Sequence, residues 1–427
     1  VKKFLGFVAL SCVITIGAFI AYNLSKDKVK LDVMKGYEYD IKAKGLNGAK
    51  DISIDEEGNV LVAFENEVRT IRSDGKENKI LLNRNRNIQS IMYNKGNIFY
   101  ISGNSLFQYN IKTEEDKELL SNLPNSGEYP NSKLAINEDK IYISIGAATN
   151  SGVAEDGKTY DLSPIKITLK GKNFDGDKTG AFVEYGTKTS EGQVVKAAYP
   201  GNASIITYNI NNSKSELFAW GIRNIKGWDF YSSGELFGIV GGMENRGLRP
   251  IKSDVDYIYN IKKGYWYGWP DYSGGDPVNS ARFNEAESEK TTFILDKHPT
   301  VNPEAPFYQS ERIDSLQALT IDKQGDFSSE NAILFFDKNE KRLFSLTKDR
   351  ISSSLVNIKG NGEIIDIEKF KDRIFMLEKN EGIIYEVYKE NKLINTFSQR
   401  LLISIISILL IFIITIIIKV NLTKEVK

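Results

Sequence analysis

The sequence has one cysteine and one histidine among 427 residues. The lone thiol, Cys12, excludes an intramolecular disulfide, so no disulfide scaffold staples the fold. Cys12 sits in an apolar run, where a thiol is usually a small hydrophobe. The lone histidine, His298, excludes three-histidine zinc sites and HExxH chemistry by counting. A Ser-His-Asp or Cys-His unit would depend on that one residue. Net charge is missing too, with 56 Lys+Arg against 56 Asp+Glu. Binding a phosphate backbone needs an excess of positive charge, so no nucleic-acid partner is expected.

Charge is absent from two long runs. Phe4 to Leu24 is uncharged and follows Lys2 and Lys3. A helix of that length spans a hydrocarbon core of about 30 Å. A cleaved secretory signal would have a shorter apolar region ending in a small-x-small site, so an uncleaved anchor is preferred. Leu401 to Ile418 is uncharged and dominated by Ile and Leu, which reads as a second spanning helix. The expected organisation is an anchor or signal-like segment over 1–30, a soluble domain over 31–395, a transmembrane helix over 396–420 and a short tail over 421–427. The lysines at the two ends slightly favour termini inside and the central domain outside the cytoplasm. Short linkers imply that both chain ends leave the domain on its membrane side.

Between these runs one pattern recurs. Alternating apolar residues lead into a polar turn, and a β-rich run follows. Such units begin at Asp51, Ile88, Ser132, Ile225, Leu316 and Ile364. Period-two alternation on both sides of a turn predicts a hairpin. A lone hairpin cannot bury its apolar faces, so the repeat predicts an all-β six-bladed propeller. Two gaps are about double the usual repeat, which implies excursions from the ring over 147–200 and 243–310. Long ordered loops on a rigid scaffold are common places for function.

The second excursion contains "RGLRPIKSDVDYIYNIKKGYWYGWPDYSGGDP", residues 246–277, which concentrates aromatics, turn-formers and both signs of charge. Tyr257, Tyr259, Tyr265, Trp266, Tyr267 and Trp269 are suited to stacking on sugars. The preferred reading gives most of them to structure, with one or two facing the channel. Glu244, Asp254 and Asp256 are a candidate cation cluster, set against a solvated loop balanced by Arg246 and Arg249. The solvated loop is preferred. "DGDKTG", residues 175–180, resembles half of a calcium loop but reads better as a tight turn.

Three segments carry a resemblance: "SIGAATNSG" (144–152), "AWGIRNIKGWDF" (219–230) and the 246–277 stretch. Together they resemble the glucose/sorbosone dehydrogenase family over most of residues 45–390. The resemblance implies a six-bladed propeller that oxidises a sugar or related alcohol with pyrroloquinoline quinone and calcium. It assigns Arg223 and Asn224 to the quinone, with Lys226 nearby, and the Gly242-Met243 turn to calcium through backbone carbonyls. Arg223 is weighed equally as a buried ion pair at a blade end. The family's histidine base is replaced by Tyr129, a poor base at neutral pH with an ordinary pKa of about 10. His298, before a proline in a loop, is read as a turn residue rather than its substitute. Two functions follow: a membrane-anchored, extracytoplasmic quinone-dependent dehydrogenase, or a non-catalytic propeller binding a glycan, envelope polymer or protein. A hydrolase using channel carboxylates is a third, for which no pair stands out.

Overall fold

The computed structural model describes residues 31–284 and 289–390. The anchor expected within 1–30, the helix expected over 396–420 and the tail over 421–427 lie outside the described residues. Among the described residues no helix is long and apolar enough to cross a membrane.

All six hairpins form, each as the first two strands of its own antiparallel sheet. They are Asp51–Ile54 with Val60–Ala63, Ile88–Asn94 with Asn97–Ser102, and Leu134–Asn137 with Lys140–Ile145. The others are Ile225–Phe230 with Leu236–Val240, Leu316–Asp322 with Ala332–Asp337, and Ile364–Phe370 with Arg373–Glu378. Numbered one to six in this order, five blades have four strands and blade five has five. Blade six is made from both ends of the domain: Tyr37–Ala43 is its outermost strand, paired with Ile383–Lys389. That pairing closes the ring. Leu31–Val33 is the extra strand of blade five, alongside Ser352–Ile358.

Period-two alternation explains why every blade is needed. Each strand sends alternate side chains to opposite faces of its sheet. In blade one Val60 and Val62 enter the core shared with blade six, while Leu61 and Ala63 enter the core shared with blade two. In blade six Phe375 and Leu377 face blade one, while Ile374 and Met376 face blade five. Each of the six gaps between blades holds one such apolar cluster. Opening the ring would expose one apolar face on each of the two blades at the break, so closure by Tyr37–Ala43 supports the whole ring.

The innermost strands line the central channel and are linked by side chains. Asp51 of blade one accepts the Ile91 amide of blade two at 2.8 Å. Ser90 of blade two accepts Leu134 N of blade three at 3.2 Å. Asp229 of blade four accepts Ile321 N of blade five at 2.9 Å, and Asp366 of blade six accepts Ile52 N of blade one at 2.8 Å. These acceptors satisfy amides that would otherwise face the channel unpaired, a cost of about 1–3 kcal/mol each.

Two expectations are corrected. The segment 243–310 is not one excursion, because Tyr257–Ile261 and Tyr308–Gln309 are the third and fourth strands of blade four. The excursions are therefore 146–203 within blade three, then 241–256 and 262–307 within blade four. They share a seventh core, with Ile167, Phe182, Met243, Trp269, Phe283 and Leu295 among its members. The chain ends also do not leave from one face. Leu31 pairs with Ile358, at the level where the innermost strand of blade five starts, which is the excursion face. Lys389 pairs with Tyr37 at the opposite face, and Glu390 N donates to Gly36 O at 2.8 Å.

Candidate functional site on the excursion face

Arg223 and Asn224 lie in the short link from the last strand of blade three to the first of blade four. Gly221 opens that link at a φ of 70°, in the left-handed region, and a Cβ there would meet the Trp266 ring at 2.3 Å. Glycine is thus required for the link to pass beneath Trp266. This turn carries the arginine into the space between the excursions, where it is 4% exposed.

Each nitrogen of the Arg223 guanidinium has a hydrogen-bond partner there. Its Nη2 donates to Glu244 Oε1 at 2.8 Å and to Asn150 Oδ1 at 2.8 Å. Its Nε donates to Asn150 O at 3.2 Å. Its Nη1 donates to the Gly242 carbonyl, and Nη2 also reaches the Tyr129 hydroxyl. The guanidinium lies 4.2 Å from the centre of the Tyr129 ring. Burial is the largest effect on its proton affinity and pulls the pKa down to about 10, against the pull of Glu244 and Asp254. Arg223 therefore stays charged at neutral pH.

The network continues outward. Tyr129 donates its hydroxyl to Glu244 Oε1 at 2.7 Å. Arg246 makes a bidentate pair with Glu128 at 2.8 and 2.7 Å and donates Nε to Glu244 Oε2 at 2.5 Å. Partial burial pushes the Glu244 carboxyl up, but Arg246 and Arg223 together hold it below its ordinary value. Tyr129, where the resemblance puts a histidine, is thus a hydrogen-bonding wall of an ion network.

The other assigned residues are committed as well, with one exception. Lys226 Nζ pairs with Asp256 Oδ2 and Asp314 Oδ1, each at 3.0 Å. Gly242 donates its amide to Asp256 Oδ1 at 3.3 Å, and a Cβ there would meet Val255 O at 2.1 Å. Met243 is buried and donates its amide to Asp254 Oδ2 at 2.6 Å. The exception is Asn224, whose Oδ1 is buried without a hydrogen-bond partner, close to where a Cβ on Gly241 would lie.

The acidic excursion residues are not a solvated loop. Asp254 and Asp256 are buried, as is Arg249. Arg249 and Asp271 form a second hub: Arg249 Nη2 donates to Asp271 Oδ1 at 2.7 Å and Nη1 donates to Pro270 O at 2.8 Å. Asp271 also accepts the Ile294 and Leu295 amides, and His298 Nε2 lies 2.9 Å from its Oδ2. His298 stacks on Trp266 and contacts Tyr272 and Phe293 edge-on. The histidine therefore belongs to the excursion core. Sequence reasoning missed this hub, and one signal for it was available: Arg249 and Asp271 bracket the aromatic run. Within that run Tyr257, Tyr259, Trp266, Tyr267 and Trp269 are buried, while Tyr265 is exposed.

No protein-family model matches the chain. An uncharacterized protein of Borreliella burgdorferi is 26% identical over 212 residues, which is 47% of this chain and 55% of that protein. The match thus spans about half the length of that relative. Solved structures share the fold at low identity. The holo pyranose dehydrogenase PQQ domain of Coprinopsis cinerea superposes with a TM-score of 0.58 at 12% identity, covering 85% of this chain and 98% of that one. A calcium structure of the family AA12 carbohydrate-active enzyme of Trichoderma reesei gives 0.58 at 14%, covering 84% and 97%. The PQQ-bound aldose sugar dehydrogenase of Streptomyces coelicolor gives 0.52 at 12%, covering 85% and 99%. The chain is thus a six-bladed propeller with the fold of sugar oxidoreductases.

Proposed function

We propose that the chain is a membrane-anchored recognition propeller, with the fold of a sugar dehydrogenase but without quinone catalysis, that binds a glycan through its excursion face. The observation that carries this is the closed network around Arg223. A tricarboxylate quinone needs cations with donors to spare, and calcium needs free carbonyl oxygens. Arg223 is consumed by Glu244, Asn150 and Gly242, and Lys226 by Asp256 and Asp314. The Gly242 carbonyl, assigned to calcium by the resemblance, already accepts from Arg223. The residues as arranged do not fit either group.

Glycan binding draws support from the half-exposed Tyr265, whose carbonyl accepts the Trp220 amide at the excursion-face end of the outermost strand of blade three. The half-exposed Tyr199 lies beside Ser215 and Glu216, further along that strand. Exposed aromatic faces are the usual platforms for sugar rings. With an anchor at each end, the rim of blades five and six would face the bilayer, because one end leaves from each face. Both faces of the ring would then stay open to the envelope.

A second reading, a sugar or alcohol dehydrogenase using pyrroloquinoline quinone and calcium, is favoured by one observation: the orphaned Asn224 Oδ1 beside Gly241. The test is quinone binding by the full chain with calcium present, followed by dye reduction on a set of aldoses. We expect no saturable binding and no turnover. Dye reduction that is lost in Arg223→Ala would replace the recognition reading with the enzymatic one.

A further inference from the structure

A cavity lies inside the ring, away from the excursions. It measures about 660 Å³ and is lined by the innermost strands of all six blades. That is within the range of about 300–1,000 Å³ typical of small-molecule sites. Its lining includes Lys323, Gln324, Asp326, Lys371 and Asp372, on the turns that follow the innermost strands, so it reaches the face opposite the excursions. Among the described residues no excursion residue lines it.

The charges in this cavity do not balance. Asp51, Asp229, Asp366 and Glu368 contribute four carboxyls, and Lys133 and Lys323 contribute two ammonium groups, an excess of two carboxyls. Lys133 is paired with Asp51 at 2.5 Å and Lys323 with Asp229 at 3.1 Å. Lys369 is spent on Asp322 and Asp326, and at the mouth Lys371 offsets Asp372. Asp366 has the Ile52 amide as a partner. The Glu368 side chain, two residues on and on the same face of its strand, has no hydrogen-bond partner among the described residues and is not fully buried, and it lines the cavity. Burial first, then repulsion among the neighbouring carboxylates, pushes Asp366 up to about 7 and Glu368 well above its ordinary value. A positive charge placed among these carboxyls would relieve that repulsion.

The spacing of the carboxyls decides what kind of cation. Among the described residues no three acidic, His or Cys side chains lie close enough to hold a metal ion. Asp366 lies against Asp51, and the wall around them and Glu368 also presents Met92, Trp228, Phe230 and Phe370. Carboxyls set in a partly apolar wall suit ammonium groups carried on a carbon chain. We propose that the central channel is a binding site for a small organic ammonium ligand, of the size of a short aliphatic diamine, with Glu368 as its principal anion. The ligand enters from the face opposite the excursions, and its binding is independent of any activity on the other face.

Calorimetric titration of the full chain with butane-1,4-diamine, with butane-1,4-diol as the neutral match, tests this. The expected result is saturable binding of the diamine, none of the diol, and at least tenfold weaker diamine binding by Glu368→Gln. Absence of diamine binding, or equal binding of the diol, would overturn the proposal on the unaltered chain, whatever the variant's stability. Diamine binding unchanged in Glu368→Gln would overturn the assignment of that anion. So would calcium binding that requires Glu368 while the diamine stays inert.

Discussion

Removing the Glu244 carboxylate tests whether the Arg223 network is a closed structural unit. The side chain of Arg223 is 4% exposed and that of Glu244 is 35% exposed. Breaking a fully buried pair costs about 3–5 kcal/mol, while an exposed pair is worth about 0.2–1. With one partner buried and the other a third exposed, solvent screens part of the interaction, and Glu244→Gln should cost about 1–3 kcal/mol. Urea unfolding of the unaltered chain, Glu244→Gln, Arg223→Met and the double variant gives the coupling. A coupling below about 0.5 kcal/mol, the additivity expected of independent sites, would refute the reasoning. The pH dependence has a definite sign. The folded Glu244 carboxyl lies below its ordinary value, so its contribution is present above the unfolded pKa of about 4.3 and is lost as the pH falls through the folded value. The difference between the unaltered chain and Glu244→Gln should shrink on acidification through that window. Adding quinone and calcium should move none of the four melts. Selective stabilisation of Glu244→Gln would mean that the network guards a working cofactor site.

Asp161 gives a pH effect of the opposite sign. It holds Ala148 N and Thr149 Oγ1, and burial, the largest effect, raises its pKa to about 7 despite those bonds. Its contribution to stability is full below the unfolded value of about 3.9 and is lost as the pH rises through the folded one. Asp161→Asn should flatten that part of the stability–pH curve, and an unchanged slope would exclude Asp161 as its source. Ring closure makes the other prediction. Deleting residues 31–43 removes the outermost strand of blade six, so cooperative urea unfolding and resistance to limited proteolysis should both be lost. A truncated chain that melts as sharply as the parent would contradict the closure seen in the Tyr37–Ala43 pairing.

The blades were legible because their signal is local. Alternation in "DISIDEEGNVLVAF" or "IIDIEKFKDRIFMLE" writes both faces of a sheet into a few residues. The closing strand was not legible, since Tyr37–Ala43 pairs with residues some 350 positions later in the chain and its alternation is weak, with no residue fully buried. The strand Tyr257–Ile261 was hidden for another reason: its five residues lie between two long loops, with no hairpin partner adjacent in sequence. Arg223 was found as a residue but could not be assigned a role. Its partners Asn150, Tyr129 and Glu244 come from three separate connections, and only the closed ring brings them together. The same order of motifs therefore serves two ends. The "GIRN" turn and the "YGWP" turn lock together where Trp266 crosses Gly221 and Trp269 N donates to the Gly221 carbonyl. That contact requires these residues in this order whether or not a cofactor ever binds, so a motif that is diagnostic of the fold is not by itself evidence for the chemistry.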